Sequence, residues 1–256
     1  MFDIADTGRV RTLTINNPER KNAIPTSEWP QLADHLESFE ASEQRALIIT
    51  GAGDDFCSGA DLGGSEFTDH TITARYADMG VVGRAATALH RISKPTVAAV
   101  EGVAVGAGMN LALACDIVIS SRTARFSEIF VKRGLTVDFG GTWLLPRLVG
   151  LAVARDLALT GRMVSGEEAA TLGLVSRAVE SEALQADAME VATGLATGAP
   201  LAQRFIKTGL NRSLDLTFEQ ALAYEDQAQA ICLSSEDVVE GVSAFLSKRD
   251  PDFKGR

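Results

Sequence analysis

The sequence predicts an α/β fold, with a layered core in its first part and a helical region at its carboxyl end. Up to about residue 120, strand-like segments alternate with helical patterns, and this alternation is typical of layered α/β proteins. From Gly140 onward almost only helical periodicity remains. The chain has 256 residues, 46% of them hydrophobic, enough to bury a large core without disulfides or metal. We expect a core domain over residues 1–196 and a C-terminal helical lid or assembly region over residues 197–256.

Local signals place the elements of the first half. A β-branched strand over 9–15 ends at an Asn-Asn-Pro turn, and Ser27 is a candidate cap for a helix over 28–40. A second strand covers 46–50, and after a glycine-bearing loop over 54–65 a long helix runs to about residue 91. The next predicted elements are a strand over 96–100, a glycine segment over 102–108, a short helix from Met109 and a strand over 116–120. Further helices are predicted at 142–148, 152–159, 166–172, 182–196, 201–210, 218–233 and 236–248.

Charge and composition exclude several classes of function. The net charge of −10 opposes binding to nucleic acid or to an anionic membrane. The first residues lack the pattern of a secretory signal, and polar residues interrupt the most apolar stretch, over 96–120, so we expect no membrane span. Three widely spaced cysteines indicate reduced thiols and a cytoplasmic protein. No metal site is expected, because no cysteine pair or histidine has ligand spacing: Cys57, Cys115, Cys232, His35, His70 and His90.

Two glycine-bearing loops are candidates for binding an oxygen atom. The loop over 56–62 contains Gly59 and Ala60, which leave backbone N–H groups open to a ligand. Taken alone, this segment is more typical of a tight turn. The segment over 102–110 places small residues before an apolar helix but lacks the lysine of a Walker loop and the glycine spacing of a dinucleotide fold. Two such loops suit an oxyanion hole, in which two N–H groups hold a polarised carbonyl oxygen.

Four segments carry a family resemblance, in order and over essentially the whole chain. They are FCSGADL at 56–62, KPTVAAVEGVAVGAGMNLALACDIVI at 94–119, ARFSEIFVKRGLTVDFGGTWLLPRLVG at 124–150 and AFLSKRDPDFKGR at 244–256. In these segments the chain closely resembles the crotonase (enoyl-CoA hydratase/isomerase) superfamily. The resemblance implies a ββα spiral core, an acyl-CoA thioester substrate, no separate cofactor, and homotrimers or dimers of trimers. It also implies that the Ala60 and Ala107 amides hold the thioester carbonyl, with neighbouring residues lining the substrate site: Gly59, Asp61, Leu62, Gly106 and Gly108.

The sequence departs from the hydratase pattern at both glutamates that the family uses for hydration. Asn110 and Phe130 stand at those positions, and neither can accept a proton from water. We therefore expect both to line the acyl site without acting as bases. Glu128 lies two residues before the second position and is a weaker candidate for a substitute base.

Asp138 is the remaining carboxylate in this region, and it has two interpretations. It could cap the helix that begins near Phe139, a frequent role for aspartate. It could instead be a catalytic acid/base, and the resemblance favours this, since Asp-x-Gly-Gly is similar to enoyl-CoA isomerases of aromatic-acid degradation. The pattern also resembles that of aryl-CoA dehalogenases, which use an aspartate at about the position of Asp138 as a nucleophile. The sequence thus favours a double-bond shift in an enoyl-CoA, with hydration in fatty-acid or aromatic-acid degradation, or acyl-CoA binding without catalysis, as alternatives.

Basic residues are candidates for holding the CoA phosphates. The resemblance places Lys248 near the 3′-phosphate, although a cation at the end of a helix is equally typical of a solvated surface. Arg20 and Lys21, in the turn after the first strand, are candidates for the pyrophosphate. The identity of the acyl group does not follow from the sequence, because pocket size depends on residues 66–83 and on the helical tail.

Overall fold

The computed structural model describes residues 1–63 and 71–256. Within them, a six-stranded sheet contains β1 (Phe2–Thr7), β2 (Val10–Ile15), β3 (Ala46–Gly51), β4 (Thr96–Val100), β6 (Ile117–Ser121) and β9 (Arg177–Val179). The strands lie in the order β1-β2-β3-β4-β6-β9, and all pairs are parallel except β1 with β2. A smaller sheet contains β5 (Val103–Val105), β7 (Arg125–Ser127) and β8 (Val164–Ser165), in the order β5-β7-β8.

Helices cover the sheets and form the carboxyl end of the chain. In chain order they are α1 (Trp29–Ala41), α2 (Ile72–Arg91), α3 (Ala107–Leu113), α4 (Gly141–Thr160), α5 (Gly166–Leu172), α6 (Leu184–Thr197), α7 (Pro200–Arg212), α8 (Phe218–Leu233) and α9 (Glu236–Ser247). The predicted domain boundary after residue 196 falls in the last turn of α6. No helix among the described residues is long and apolar enough to cross a membrane.

The alternation of side chains along the strands divides the core into two layers. On one face of the large sheet, Ile48, Val97 and Ala99 pack against α6 through Ala188 and Ala192. The other face packs against α1, α2 and the small sheet, and its buried strand residues are Leu13, Ile15, Leu47, Ile49, Ala98 and Val100. Because successive side chains of a strand point to opposite faces, a sheet covered on both sides needs strands that are apolar throughout. This explains the uninterrupted apolar character of residues 46–49 and 97–100.

The structure corrects several expectations about the elements. Ser27 does not cap α1, because a short 3₁₀ helix, Thr26–Glu28, precedes it and α1 begins without a side-chain cap. The sequence did not predict β1, whose side chains after Phe2 are exposed, nor the short strands β5, β7, β8 and β9. The two helices predicted at 142–148 and 152–159 are confirmed: they are the two segments of α4, which Gly150, with φ 72°, separates.

Buried Asn22 fixes the turn after β2 against the loop that follows β3. Its Oδ1 accepts a hydrogen bond from Asn17 N (2.8 Å), and its Nδ2 donates to Ala52 O (2.9 Å) and Asp55 O (2.5 Å). Its φ of 56° lies in the left-handed region, which asparagine tolerates better than most residues. The side chain therefore holds in place the backbone from which the loop over 56–62 begins.

Replacing Asn22 with alanine is expected to destabilise the protein by about 1–3 kcal/mol, since buried backbone groups lose their partners. In a chain of this size, each kcal/mol corresponds to a decrease in Tm of about 2–4 °C. Asn16→Ala is the matched control, because the Asn16 amide binds only an exposed Asp3 carboxylate. Thermal unfolding measured by circular dichroism checks the difference, and equal Tm values for the two variants would contradict this role.

Candidate active site

The two glycine-bearing loops meet at the carboxyl ends of the central strands. Backbone hydrogen bonds join them: Cys57 N donates to Val103 O (2.8 Å), and Val105 N donates to Cys57 O (3.1 Å). Within the second loop, residues 103–105 form β5 rather than irregular backbone. These bonds hold the chain before Ala60 against the chain before Ala107.

Glycine is required at two positions where these loops approach each other. A Cβ added at Gly59, where φ is 89°, would lie 2.9 Å from Val105 O and 3.4 Å from Ala107 N. A Cβ at Gly108 would lie 2.2 Å from Cys57 O, which no side chain could accept without backbone movement. The small residues predicted for a substrate site therefore serve first to bring the two backbone segments together.

The backbone N of Ala107 lies close to Gly59, the residue before Ala60, at the junction of the two loops. Ala107 is the first residue of α3, where backbone N–H groups have no partner within the helix and the helix dipole is positive. Gly106 precedes it with φ 57°, a backbone conformation that favours glycine. Two flanking hydrogen bonds fix the peptide of Ala60: Ile24 N donates to Gly59 O (2.8 Å), and Asp61 N donates to Ile24 O (2.9 Å). This arrangement is consistent with an oxyanion hole.

Asn110 connects this amide site to Asp138. Asn110 lies three residues after Ala107, so the two share one face of α3. Its Nδ2 donates a hydrogen bond to the backbone O of Asp138 (3.0 Å). The approach requires glycine at the start of α4, because a Cβ at Gly141 would lie 2.4 Å from Asn110 Nδ2. The structure thus brings Asp138 beside the helix that carries Ala107.

The carboxyl group of Asp138 is mostly buried and is not a helix cap. Helix α4 has Gly140 at its N-cap position and no side-chain cap bond, so the capping interpretation is wrong. Asp138 Oδ1 has no hydrogen-bond partner among the described residues, and burial raises the pKa of this carboxyl to about 6. The following residue, Phe139, has φ 48°, which is strained for an aromatic side chain, and its ring packs on Trp29 (5.6 Å between centroids).

Glu128 lies beside Asn110, and its role as a substitute base stays a prediction. Its side chain is completely buried, and its Oε2 accepts a hydrogen bond from Asn110 Nδ2 (3.4 Å). Burial, the largest cause, and the charge of Asp138 raise the pKa of Glu128 to about 8, although the Asn110 bond opposes the shift. Phe130, at the other hydratase position, is buried and lies close to Gly106, whose added Cβ would be 3.5 Å from Phe130 Cζ. The sequence signal for Glu128 was its place two residues before Phe130, where hydratases of the family have a glutamate.

Arg20 and Lys21 lie next to the first amide loop. Ser58 N donates to Lys21 O (2.9 Å), and Ser58 Oγ donates to Arg20 O (3.1 Å). Both side chains already face carboxylates, Arg20 with Asp61 (3.6 Å) and Lys21 with Asp55 (2.9 Å). A CoA phosphate would therefore compete with these pairs. Leu62, also predicted to contact substrate, is 44% exposed beside them.

The segment that follows Lys248 lies away from this site. Lys248 ends α9 in the left-handed conformation, and the following residues extend to the opposite end of the sheet. There Arg9, before β2, approaches Asp252 (3.7 Å), and Arg45, before β3, donates to Phe253 O (2.8 Å). The amide loops follow the carboxyl ends of the strands, and the contact of Lys248 with the 3′-phosphate stays a prediction.

The cysteines and His90 lie in surroundings that are typical of structural residues. All three cysteines are free, and burial raises the pKa values of the Cys57 and Cys115 thiols to about 12. His90 contacts the ring of Trp143 (5.1 Å between centroids), and burial lowers its pKa. His70, the end of the predicted loop over 54–65 and the start of the segment over 66–83 lie outside the described residues.

The chain is similar to known proteins over nearly its whole length. The chain matches the enoyl-CoA hydratase/isomerase family over residues 6–256. It is 41% identical over 251 residues to the 1,2-epoxyphenylacetyl-CoA isomerase of Escherichia coli (strain K12), covering 96% of this chain and 95% of that protein. It is 37% identical over 254 residues to the short-chain-enoyl-CoA hydratase of Clostridium acetobutylicum, with 97% and 96% covered. The crystal structure of an enoyl-CoA hydratase from Bacillus anthracis superposes with a TM-score of 0.94 at 29% identity, covering 100% and 99% of the two chains.

The chain belongs to the enoyl-CoA hydratase/isomerase family. Its fold is the crotonase-like ββα spiral with a helical carboxyl end, as the motifs predicted. It is an acyl-CoA enzyme of that family, and its relatives include both isomerases and hydratases.

Proposed function

We propose that this enzyme shifts a carbon–carbon double bond in an enoyl-CoA thioester, with Asp138 as its acid/base. The observation that carries the proposal is the buried Asp138 carboxyl, whose Oδ1 has no partner among the described residues and whose backbone is bound to the helix of Ala107. A buried carboxyl with a raised pKa is a group prepared for proton transfer near neutral pH. Asn110 and Phe130 replace the two glutamates that hydration uses in the family.

The chemistry requires one base and one oxyanion site. The Ala60 and Ala107 amides would stabilise the negative charge that develops on the thioester oxygen when a proton leaves carbon. Asp138 would remove that proton and return it at a carbon two positions away, which completes a 1,3-shift. No second reactant enters, so the coenzyme A of the substrate is the only cofactor that this proposal requires.

Hydration is the second candidate, and the position of Glu128 supports it. Asn110 contacts both Glu128 and Asp138, so the region contains two carboxyl groups. A hydratase needs two such groups to activate and position water. Burial, together with the negative charge of Asp138, favours the protonated form of Glu128, which is unsuited to accept a proton from water at neutral pH.

A paired assay with 2-enoyl-CoA and 3-enoyl-CoA substrates separates these functions. We expect interconversion of the two positional isomers, followed by chromatography, to be at least tenfold faster than formation of 3-hydroxyacyl-CoA. Faster hydration than isomerisation would favour the hydratase. Binding of acyl-CoA without conversion of any substrate would indicate the non-catalytic binder.

We further propose that the chain assembles as a homotrimer or a dimer of trimers. The C-terminal helices leave large apolar side chains exposed, more than a surface helix of a monomer usually presents. Examples are Leu210, Leu214, Phe218, Phe245 and Leu246, which are 68–82% exposed. Light scattering coupled to size exclusion tests this, and a monomer mass of 27.1 kDa at micromolar concentration would overturn it. The three free thiols support a cytoplasmic location.

A further inference from the structure

The cluster of Asn110, Glu128 and Asp138 contains more hydrogen-bond acceptors than donors. Asn110 Nδ2 has two hydrogens, and it donates to Glu128 Oε2 (3.4 Å) and to Asp138 O (3.0 Å). Three buried oxygens have no partner among the described residues: Asn110 Oδ1, Glu128 Oε1 and Asp138 Oδ1. If both carboxyl groups were ionised, the NH₂ group of Asn110 would be the one hydrogen-bond donor of the three side chains. All their other polar atoms would be acceptors.

Among the residues that the structure describes on the neighbouring elements, no free positive charge faces the two carboxyl groups. Helix α3 carries no ionisable side chain, and Lys132 and Arg133, in the 3₁₀ helix that Glu128 precedes, are exposed. On α4, Arg147 pairs with Asp215 (2.9 Å), and Arg155 is exposed. In the turn after α4, Arg162 pairs with Asp156 and Glu168, both at 2.7 Å. Asp138 is the charged group that acts on Glu128.

We propose that Glu128 is a positioning residue that keeps its proton while Asp138 is ionised, so that the cluster carries a single negative charge. A protonated carboxyl group has one O–H donor. Protonation of Glu128 therefore adds a donor to a cluster in which three buried oxygens have no partner. Glu128 would thereby fix the amide of Asn110, and Asn110 in turn fixes the backbone of Asp138. The pKa values of about 6 for Asp138 and about 8 for Glu128 agree with this order of ionisation.

This assignment has a kinetic consequence that rests on the proposed function. Activity should increase as pH rises through about 6, when Asp138 ionises, and decrease through about 8, when Glu128 ionises. A second negative charge beside the first opposes formation of the anionic transition state. We expect the wild-type rate of isomerisation to fall about tenfold between pH 7 and pH 9, in proportion to the protonated fraction of Glu128.

Glu128→Gln tests the assignment, because glutamine has the shape of the protonated acid and cannot ionise. The pH–rate profile of this variant should keep the rise near pH 6 and lose the decrease near pH 8. Its rate at pH 7 should lie within about threefold of the wild-type rate. Glu40→Gln is the matched control, since the partly buried Glu40 carboxylate binds Ser93 Oγ (2.6 Å) and lies outside the site. It should retain both the rise and the decrease. A decrease near pH 8 that persists in Glu128→Gln would overturn the proposal.

Carboxyl ¹³C NMR titration of the enzyme without substrate gives a readout that is independent of turnover. We expect one glutamate carboxyl to titrate near pH 8 in the wild type and to be missing from Glu128→Gln. If every carboxyl of the wild type titrates below pH 6, Glu128 is ionised at neutral pH and the proposal is wrong. If no enoyl-CoA is isomerised, the proposed function fails, and this titration alone decides the state of Glu128.

Discussion

Replacing Asp138 with asparagine is expected to lower the rate of isomerisation by about 10²–10⁴-fold, the usual contribution of a general base. Asparagine keeps the size of the side chain and leaves the backbone O that binds Asn110 in place. It cannot accept the proton that leaves the substrate. Initial rates with saturating enoyl-CoA, measured at pH 7.5, give the effect on kcat directly.

The same substitution should not destabilise the protein at neutral pH. Burial raises the pKa of Asp138 from 3.8 to about 6, so the folded state disfavours the ionised form. The cost is absent below the unfolded-state pKa, develops as pH rises from the unfolded-state to the folded-state pKa, and is fully present above the latter at about 3 kcal/mol. We therefore expect Tm of Asp138→Asn to equal or exceed that of the wild type at pH 7.5, and the difference to vanish near pH 4.

A surface aspartate provides the control for this pair of measurements. Asp187→Asn removes a carboxylate that pairs with Arg177 (2.7 Å) on the outside of α6, and it should leave the rate unchanged. A structural role of Asp138 predicts the reverse pattern, with lower Tm and nearly normal turnover. Full activity in Asp138→Asn would remove Asp138 from the chemistry.

Replacing Ala107 with proline should reduce kcat/KM by about 10²–10³-fold, corresponding to about 2.7–4 kcal/mol of transition-state stabilisation from one oxyanion donor. Proline has no N–H group, and the first position of a helix is the one where proline fits best. The substitution therefore deletes the donor without breaking α3. Steady-state kinetics with the preferred enoyl-CoA measures the loss, and circular dichroism confirms the fold.

Ala107→Gly is the matched variant, since it changes the side chain and keeps the N–H group. Its kcat/KM should remain within about tenfold of the wild type. Equal losses in the two variants would indicate that the methyl group, rather than the amide, matters at this position. Unchanged activity in a folded Ala107→Pro variant would contradict the oxyanion assignment.

The sequence predicted those parts of the fold that depend on local or repeated signals. Helices α5 and α8 have the predicted bounds, and the apolar strands β3 and β4 were found because they are buried on both faces. Strand β1 was missed because its exposed residues pair with β2 only in the folded sheet. The short strands β5, β7 and β8 depend on contacts distant in sequence, which no local pattern reports.

The same division holds for the site. The positions of Gly59, Gly106 and Asp138 followed from motifs, but the surroundings of Asp138 did not. Whether that carboxyl caps α4 depends on the backbone at Gly140, which is left-handed and takes the cap position itself. The contact of Glu128 with Asn110 could not be predicted, because it joins two segments eighteen residues apart. The charged residues around Lys248 do not indicate at which end of the sheet the C-terminal segment lies.

The central claim is that one carboxylate moves a proton between two carbons of the substrate without adding water. Mass spectrometry of the reaction of a deuterated enoyl-CoA in H₂¹⁸O, with label at the carbon that loses its proton, tests it most directly. The account predicts a positional isomer that contains no ¹⁸O and retains part of the deuterium at the second carbon. A main product that contains ¹⁸O at the third carbon of the acyl chain, formed by the wild type and not by Glu128→Gln, would contradict it.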